Sequence, residues 1–249
     1  MYAVNFFGLR STAIVFVQSK NIYDISIMEK FEAIIFDCDG VLVNSEEILQ
    51  GVELALLGEH GLDYDLEEYS RRFLGVSNKI FFAELNKDSM NKLGILLPED
   101  FIDRIGTAAR ATFESDLIAF DGVHELAQKW QGALAVASSS SAENLALKLR
   151  ITRLSSIFDP HVYTADEVAA GKPDPAIYLH AAQQLSISPK HCVAIEDRIN
   201  GIVSARAAGM RAIGFTEGRH CLPHHGDLLL RGGANAIVSS MQELAELLT

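Results

Sequence analysis

The chain has 249 residues, 49% of them hydrophobic, enough for one large domain or two unequal ones with a substantial core. Its 33 acidic and 21 basic residues give a formal net charge of −12, which argues against electrostatic association with nucleic acid or an anionic membrane surface. No run approaches the length of a transmembrane helix, and Cys38, Cys192 and Cys221 form no Cys-x-x-Cys pair, which fits a reducing, cytoplasmic compartment better than a disulfide framework.

Residues 1–27 are moderately apolar but interrupted by Arg10, and they carry neither a clear basic region nor a small-residue cleavage site, so no signal peptide is expected. Met28 stands just before Glu29-Lys30-Phe31, and the functional fold is expected to begin near it, with residues 1–27 an extension. The first strand, Ala33–Phe36, ends in Asp37-Cys38-Asp39-Gly40. In an extended backbone, side chains at i and i+2 point to the same face, so Asp37 and Asp39 look into one pocket. Like charges held there raise one pKa or recruit a cation. One acid can then serve as nucleophile and the other as proton donor, with a divalent metal offsetting the charge. Asp-X-Asp-Gly also occurs in surface turns and calcium loops. A calcium loop would want Asp or Asn at 41 and Glu at 48, where this chain has Val41 and Ile48.

From Ser45 to about Leu117 only helical patterns occur: Glu46–His60, Leu66–Phe73, Lys79–Leu85 and Glu99–Phe113. An all-helical insertion straight after the first strand suits a separate cap over the site. The later strands are expected at Ala133–Ala137, His161–Thr164, Cys192–Ile195, Arg211–Phe215 and Ala236–Val238. Most are continuous apolar runs, as for strands covered on both faces. Helices are expected between them at Ala142–Leu149, Ala176–Leu185 and Ile202–Ala208, the last closed by Gly209. Trp130 is expected to pack in the core. Alternating strands and helices predict a doubly wound, Rossmann-like parallel sheet, whose sites lie at the carboxyl ends of the strands.

Those ends carry chemistry. The second main strand ends in Ser138-Ser139-Ser140-Ser141 at a helix start, a possible anion site or an ordinary N-cap. Prolines stiffen Gly171-Lys172-Pro173-Asp174-Pro175. The strand Val193–Ile195 ends in Glu196-Asp197, two acids that are costly there without positive charge nearby.

With Asp37-Cys38-Asp39-Gly40-Val41-Leu42, Ser138, Lys172 in Gly-Lys-Pro-Asp-Pro, and Glu196-Asp197 in that order, the chain resembles the haloacid dehalogenase superfamily, in its phosphatase and phosphomutase branch with a helical cap. The resemblance runs from about Phe31 to Leu248. It implies that Asp37 attacks phosphorus to form an aspartyl-phosphate, and that Asp39 donates a proton to the leaving oxygen and later activates water. It also implies that Ser138 and Lys172, with Ser139 beside them, hold the phosphoryl oxygens. Mg²⁺ would be bound by the Asp37 carboxylate, the Asp39 backbone carbonyl and Asp197, with Glu196 supporting its waters. Oxygen-only ligands select such a hard ion. The core would comprise residues 28–44 and 118–249, and the cap residues 45–117, hinged near Asn44-Ser45 and Asp116–Phe120.

The expected activity is hydrolysis of a small phosphomonoester, a sugar or polyol phosphate, by a monomer. Dehalogenases of this superfamily lack the second motif acid, so Asp39 argues against that chemistry. A sugar-phosphate mutase resembles the cap segment Leu74-Gly75-Val76-Ser77, but mutases follow that Ser with Arg, whereas this chain has Asn78 and Lys79. Without a bidentate guanidinium, recognition of a bisphosphate weakens. A phosphonate hydrolase would need a Schiff-base lysine in the cap, for which Lys79 and Lys87 are only nominal candidates. A catalytically silent phosphometabolite-binding relative is the alternative from another class. Arg72, Asn78 and Lys79 are candidate substrate contacts by position. Arg198, where the last motif often has Ser, is expected to be a surface variation, with added positive charge near the mouth of the site as the alternative, and His220-Cys221-Leu222-Pro223-His224-His225 a surface loop at the edge of the site rather than a zinc site.

Overall fold

The computed structural model describes residues 15–18, 21–24, 31–73, 76 and 78–248. The expected start near Met28 and most of the 1–27 extension lie outside the described residues. Six strands form one parallel sheet: Ala33–Phe36 (β3), Ala133–Ser138 (β4), Val162–Thr164 (β5), Cys192–Glu196 (β6), Arg211–Phe215 (β7) and Ala236–Val238 (β8). The spatial order is β5-β4-β3-β6-β7-β8, with β3 near the centre. All five pairings are parallel, and Phe36 stands level with Val136 on one side and Ile195 on the other. The functional segments after β3, β4 and β6 therefore emerge side by side, as the switch from one side of the sheet to the other requires.

The central strand is apolar on both faces because both faces are covered. Ile34 and Phe36 enter one buried layer with Val136, Ile195 and Ile213. Ala33 and Ile35 enter the other with Ala135, Ala194 and the wholly buried Tyr178. Trp130 packs against the first layer, as expected, and donates from Nε1 to the Ala133 carbonyl at 3.2 Å.

Between β3 and β4 lie Ser45–Glu59 (α1), Leu66–Phe73 (α2), Asn78–Leu93 (α3) and Phe101–Asp116 (α4), with a separate core built on Leu57, Leu62, Tyr69, Phe73, Phe81, Leu85 and Phe101. The two connecting segments pair with each other: Val43 bridges Ala119, and Ile118 donates its amide to the Asn44 side chain at 3.0 Å. Helix α3 runs a full eight residues beyond the expected Leu85. Polar residues in this extension serve the loop beyond: the Asn86 side chain accepts the Leu97 amide at 2.8 Å, and Ser89 donates to the Ile95 carbonyl at 2.8 Å.

Helices Val123–Lys129 (α5), Ala142–Ile151 (α6), Ser155–Phe158 (α7), Ala176–Leu185 (α8), Ile199–Ala207 (α9), His225–Arg231 (α10) and Met241–Leu248 (α11) flank the sheet. Near the N-terminus, Val15–Gln18 (β1) and Asn21–Asp24 (β2), which the sequence pattern did not reveal, pair antiparallel, with β2 alongside β8. Among the described residues no helix is long and apolar enough to cross a membrane.

Candidate active site

After β3 the chain must turn at once, and Gly40 makes that turn with φ +77°. The Leu42 and Val43 amides return to the Cys38 carbonyl at 2.9 and 3.2 Å. Gly40 is also needed for space, because a Cβ there would stand 2.3 Å from Asp197 Oδ2. The tight loop thus brings the end of β3 against the end of β6.

Asp37 and Asp39 face different partners. Lys172 donates from Nζ to Asp37 Oδ1 at 2.5 Å, to Glu196 Oε1 at 2.6 Å and to the Ala137 carbonyl at 2.8 Å. Tyr178 adds its hydroxyl to the same Glu196 oxygen at 2.6 Å. Burial pushes the Asp37 carboxyl well above the ordinary carboxylate range, although Lys172 pulls the other way and Glu196 and Asp197 reinforce the rise. Burial likewise raises Glu196 against the pull of Lys172. Burial would lower the Lys172 ammonium, but Asp37 and Glu196 reverse this and hold it above its usual value.

Asp39 accepts from Ser140 Oγ at 2.8 Å and from Ser138 Oγ at 3.4 Å, and also from the Ser45 hydroxyl and the Lys148 ammonium. Burial alone would raise its pKa, yet Lys148 and the hydroxyls of Ser45 and Ser140 bring it down to about 2. Burial presses on both acids: the neighbouring Glu196 and Asp197 help keep Asp37 held up, whereas Lys148, Ser45 and Ser140 hold Asp39 ionised.

Asp37, Glu196 and Asp197 form a buried trio whose candidate ligand atoms all lie within 4.8 Å of one another, a group able to hold a metal ion. Asp197 Oδ1 is buried without a hydrogen-bond partner. Three carboxylates and an orphaned carboxylate oxygen fit a hard divalent cation. Gly201 fits closely beneath Glu196, since a Cβ there would meet the carboxylate at 1.9 Å.

Asp37 and Glu196 of the trio open into a cavity of about 410 Å³ between the sheet ends and the helical insertion, with Asp197 buried behind them. Asp37, Asp39, Ser139, Ser140, Lys172 and Asn200 line one side, and Gln50, Glu53, Tyr69 and Phe81 the other. Ser138, fully buried, lies behind, where it accepts the Ser140 amide at 3.1 Å. Burial raises Glu53 to about 7, against a 2.6 Å hydrogen bond from the Tyr69 hydroxyl. Arg72 and Lys79 are not among the lining residues. The Arg72 guanidinium is taken up by Asp88 at 2.7 Å and Glu68 at 3.3 Å, and it lies 4.8 Å from the Phe73 ring centroid. Lys79 is exposed, and the Asn78 side chain lies outside the described residues, as do Leu74, Gly75 and Ser77.

Two expectations need correction. Arg198 is not a surface variation: it pairs with Glu46 at the start of α1 and lines the cavity, tying the β6 end to the helical insertion. Nor is the 220–225 loop a surface loop throughout, since His220 and His225 are buried. His220 Nε2 lies 2.9 Å from Asp197 Oδ2, and His225 Nε2 meets the Asp197 backbone carbonyl. Burial works against a charged His220, but the Asp197 carboxylate holds its pKa up at about 10. Loop spacing has no periodic signature, so the pattern gave no clue to this burial. Lys148 did leave one: it stands between Leu145 and Leu149 on the buried face of α6, where a lysine without a partner is costly.

The sequence profile described as haloacid dehalogenase-like hydrolase matches residues 31–209. The "phosphorylated carbohydrates phosphatase" of Thermotoga maritima is 32% identical over 215 residues, 83% of this chain and 94% of that protein. The β-phosphoglucomutase of Bacillus subtilis is 30% identical over 234 residues, 85% of this chain and 94% of that protein. A solved structure of a conserved haloacid dehalogenase-like protein from Agrobacterium tumefaciens is 38% identical, with a TM-score of 0.80, covering 87% of this chain and 97% of that one. The chain belongs to the haloacid dehalogenase-like hydrolases, in the branch that holds phosphatases and β-phosphoglucomutases.

Proposed function

We propose that this enzyme is a Mg²⁺-dependent phosphomonoester hydrolase that acts on a small sugar or polyol phosphate through an aspartyl-phosphate at Asp37. The observation that carries the reading is the convergence of Asp37, Lys172, Glu196 and Asp197 on one buried point at the mouth of a cavity. Asp37 is the nucleophile: a carboxylate oxygen forms the new bond to phosphorus as the bond to the leaving oxygen breaks. Lys172 neutralises the non-bridging oxygens, aided by the Ser138–Ser139 segment at the end of β4. Asp39 delivers a proton to the leaving oxygen and then takes one from the attacking water. Lys148 holds Asp39 ionised, so Asp39 must first gain a proton to act as the donor.

Mg²⁺ would be held by Asp37, the Asp39 backbone carbonyl and Asp197, with Glu196 behind. When bound it offsets the carboxylate charge and the charge that builds on the phosphoryl group. Residues 45–117 act as a cap that closes over the core formed by 28–44 and 118–249, excluding water before attack. Gln50, Glu53, Tyr69 and Asn200 contact the substrate's hydroxyls, the role sequence reasoning gave to Arg72, Asn78 and Lys79. In this reading the enzyme works in the cytoplasm as a monomer.

A mutase is the second reading, favoured by the 30% identity to β-phosphoglucomutase and opposed by Asn78 and Lys79 where mutases carry Arg. Phosphate release from p-nitrophenyl phosphate with Mg²⁺, lost in Asp37→Asn, tests the hydrolase. β-Glucose 1-phosphate with its bisphosphate activator tests the mutase by isomer formation without phosphate release. No turnover across a broad panel of phosphorylated metabolites would instead favour a silent binding protein.

A further inference from the structure

The 220–225 loop has no part in the chemistry just described, yet it reaches the metal trio. Asp197 and His220 are both buried, with Oδ2 of one 2.9 Å from Nε2 of the other. Oδ1 of the same carboxylate is buried and has no hydrogen-bond partner. A second histidine, His225, meets the Asp197 backbone carbonyl through its own Nε2. One residue is therefore gripped twice, at side chain and main chain, by two imidazoles from one loop. The space for this is made by glycine: a Cβ on Gly218 would stand 2.3 Å from His220 Cε1, and one on Gly40 3.0 Å from the same atom.

The last torsion of an aspartate is soft and nearly two-fold, so a free carboxylate presents its oxygens in a spread of directions. A hydrogen bond to one oxygen fixes that torsion and commits the other. Partners of this kind behind metal ligands orient the ligand and set metal affinity. Resting on the cation site proposed above, we infer that His220 is a positioning residue for the metal. It holds Oδ2 so that the unpartnered Oδ1 of Asp197 is pre-set for a divalent cation, while His225 fixes the backbone beneath. The role needs a donor at the place of Nε2, not an imidazole as such.

Mn²⁺ binding to the metal-stripped full-length chain, read from the electron paramagnetic resonance of free Mn²⁺ without substrate, tests this directly. His220→Ala and His220→Asn, which cannot reach Oδ2, should weaken Mn²⁺ binding ~10–100-fold. His220→Gln, whose amide nitrogen can take the place of Nε2, should recover most of it. The Mg²⁺ concentration for half-maximal turnover should rise in parallel, with kcat largely restored at saturating Mg²⁺. Should the alanine variant fail to fold, the asparagine and glutamine variants decide between them. Equal Mn²⁺ affinity in wild type, His220→Asn and His220→Gln would overturn the positioning role and leave the proposed function standing. A wild type that binds Mn²⁺ no better than Asp197→Asn would instead remove the cation site and this inference with it.

Discussion

At the scale of single residues, two like acids two positions apart are given different protonation by their neighbours. Each pairs with a lysine, but Asp39 also accepts from Ser45 and Ser140, while Asp37 sits beside Glu196 and Asp197. The folded pKa of Asp39, about 2, lies below its unfolded value. Its stabilising contribution is therefore full above pH ~4 and lost as pH falls toward 2. Replacing Lys148 by Met strands a buried carboxylate and should cost about 3–5 kcal/mol of stability in urea unfolding near pH 7. It should also move the alkaline limb of the kcat/KM profile, set by the protonated Asp39 that the first step needs, to higher pH; an unmoved limb would separate Lys148 from the chemistry. Glu53 has the opposite sign, with a pKa raised by burial to about 7. Its folded state favours the protonated form, so the stability it brings is present below its unfolded pKa and lost as pH rises through 7. Glu53→Gln, which can still accept the Tyr69 hydroxyl, should raise Tm at pH 8 and leave it unchanged at pH 4. An equal Tm shift at both values would show that titration is not the cause.

At the scale of elements, the ends of β3, β4 and β6 were legible because each carries its chemistry within a few residues of an apolar run. Asp37, Lys172, Glu196 and Asp197, far apart in the chain, are brought together by the strand order. Lys148 was not singled out, Ser45 was read only as a hinge position and His220 only as part of a surface loop, because their partners come from other elements and no local spacing links them. Arg72 fails in the other direction: its position suggested substrate, but Asp88 on α3 and Glu68 one turn back on α2 take up its charge. The β3 turn depends on Gly40, which is both left-handed and pressed against Asp197. Gly40→Ala should cost about 1–3 kcal/mol from the backbone alone and push Asp197 aside. Urea midpoints and Mn²⁺ affinity should fall together; a variant with unchanged metal affinity would show that the turn does not position the carboxylate.

At the scale of the whole molecule, the described polar ties between the helical insertion and the sheet, outside the connecting segments, include Arg110 to Glu143 at 2.6 Å, Arg150 to Glu114 at 2.9 Å, Arg198 to Glu46, and the Arg219 amide to Glu47 at 2.6 Å. The Arg110–Glu143 pair is exposed and screened, so it offers little resistance to opening. A short cleavable thiol cross-link between Arg110→Cys and Glu143→Cys should cut turnover on sugar phosphates, and cleavage of the linker should restore it. Undiminished turnover in the linked protein would argue against a moving cap. The architecture was legible from alternating apolar runs, while the cavity's lining was not, because helical periodicity tells which face is buried but not what stands opposite.

The most direct single measurement is to quench the enzyme during steady turnover of a sugar phosphate with Mg²⁺, reduce it with borohydride and map the peptides by mass spectrometry. A phosphorylated Asp37 predicts an aspartate reduced to homoserine at position 37 alone, absent without substrate. Full turnover with residue 37 unreduced, or reduction at another carboxylate, would contradict it.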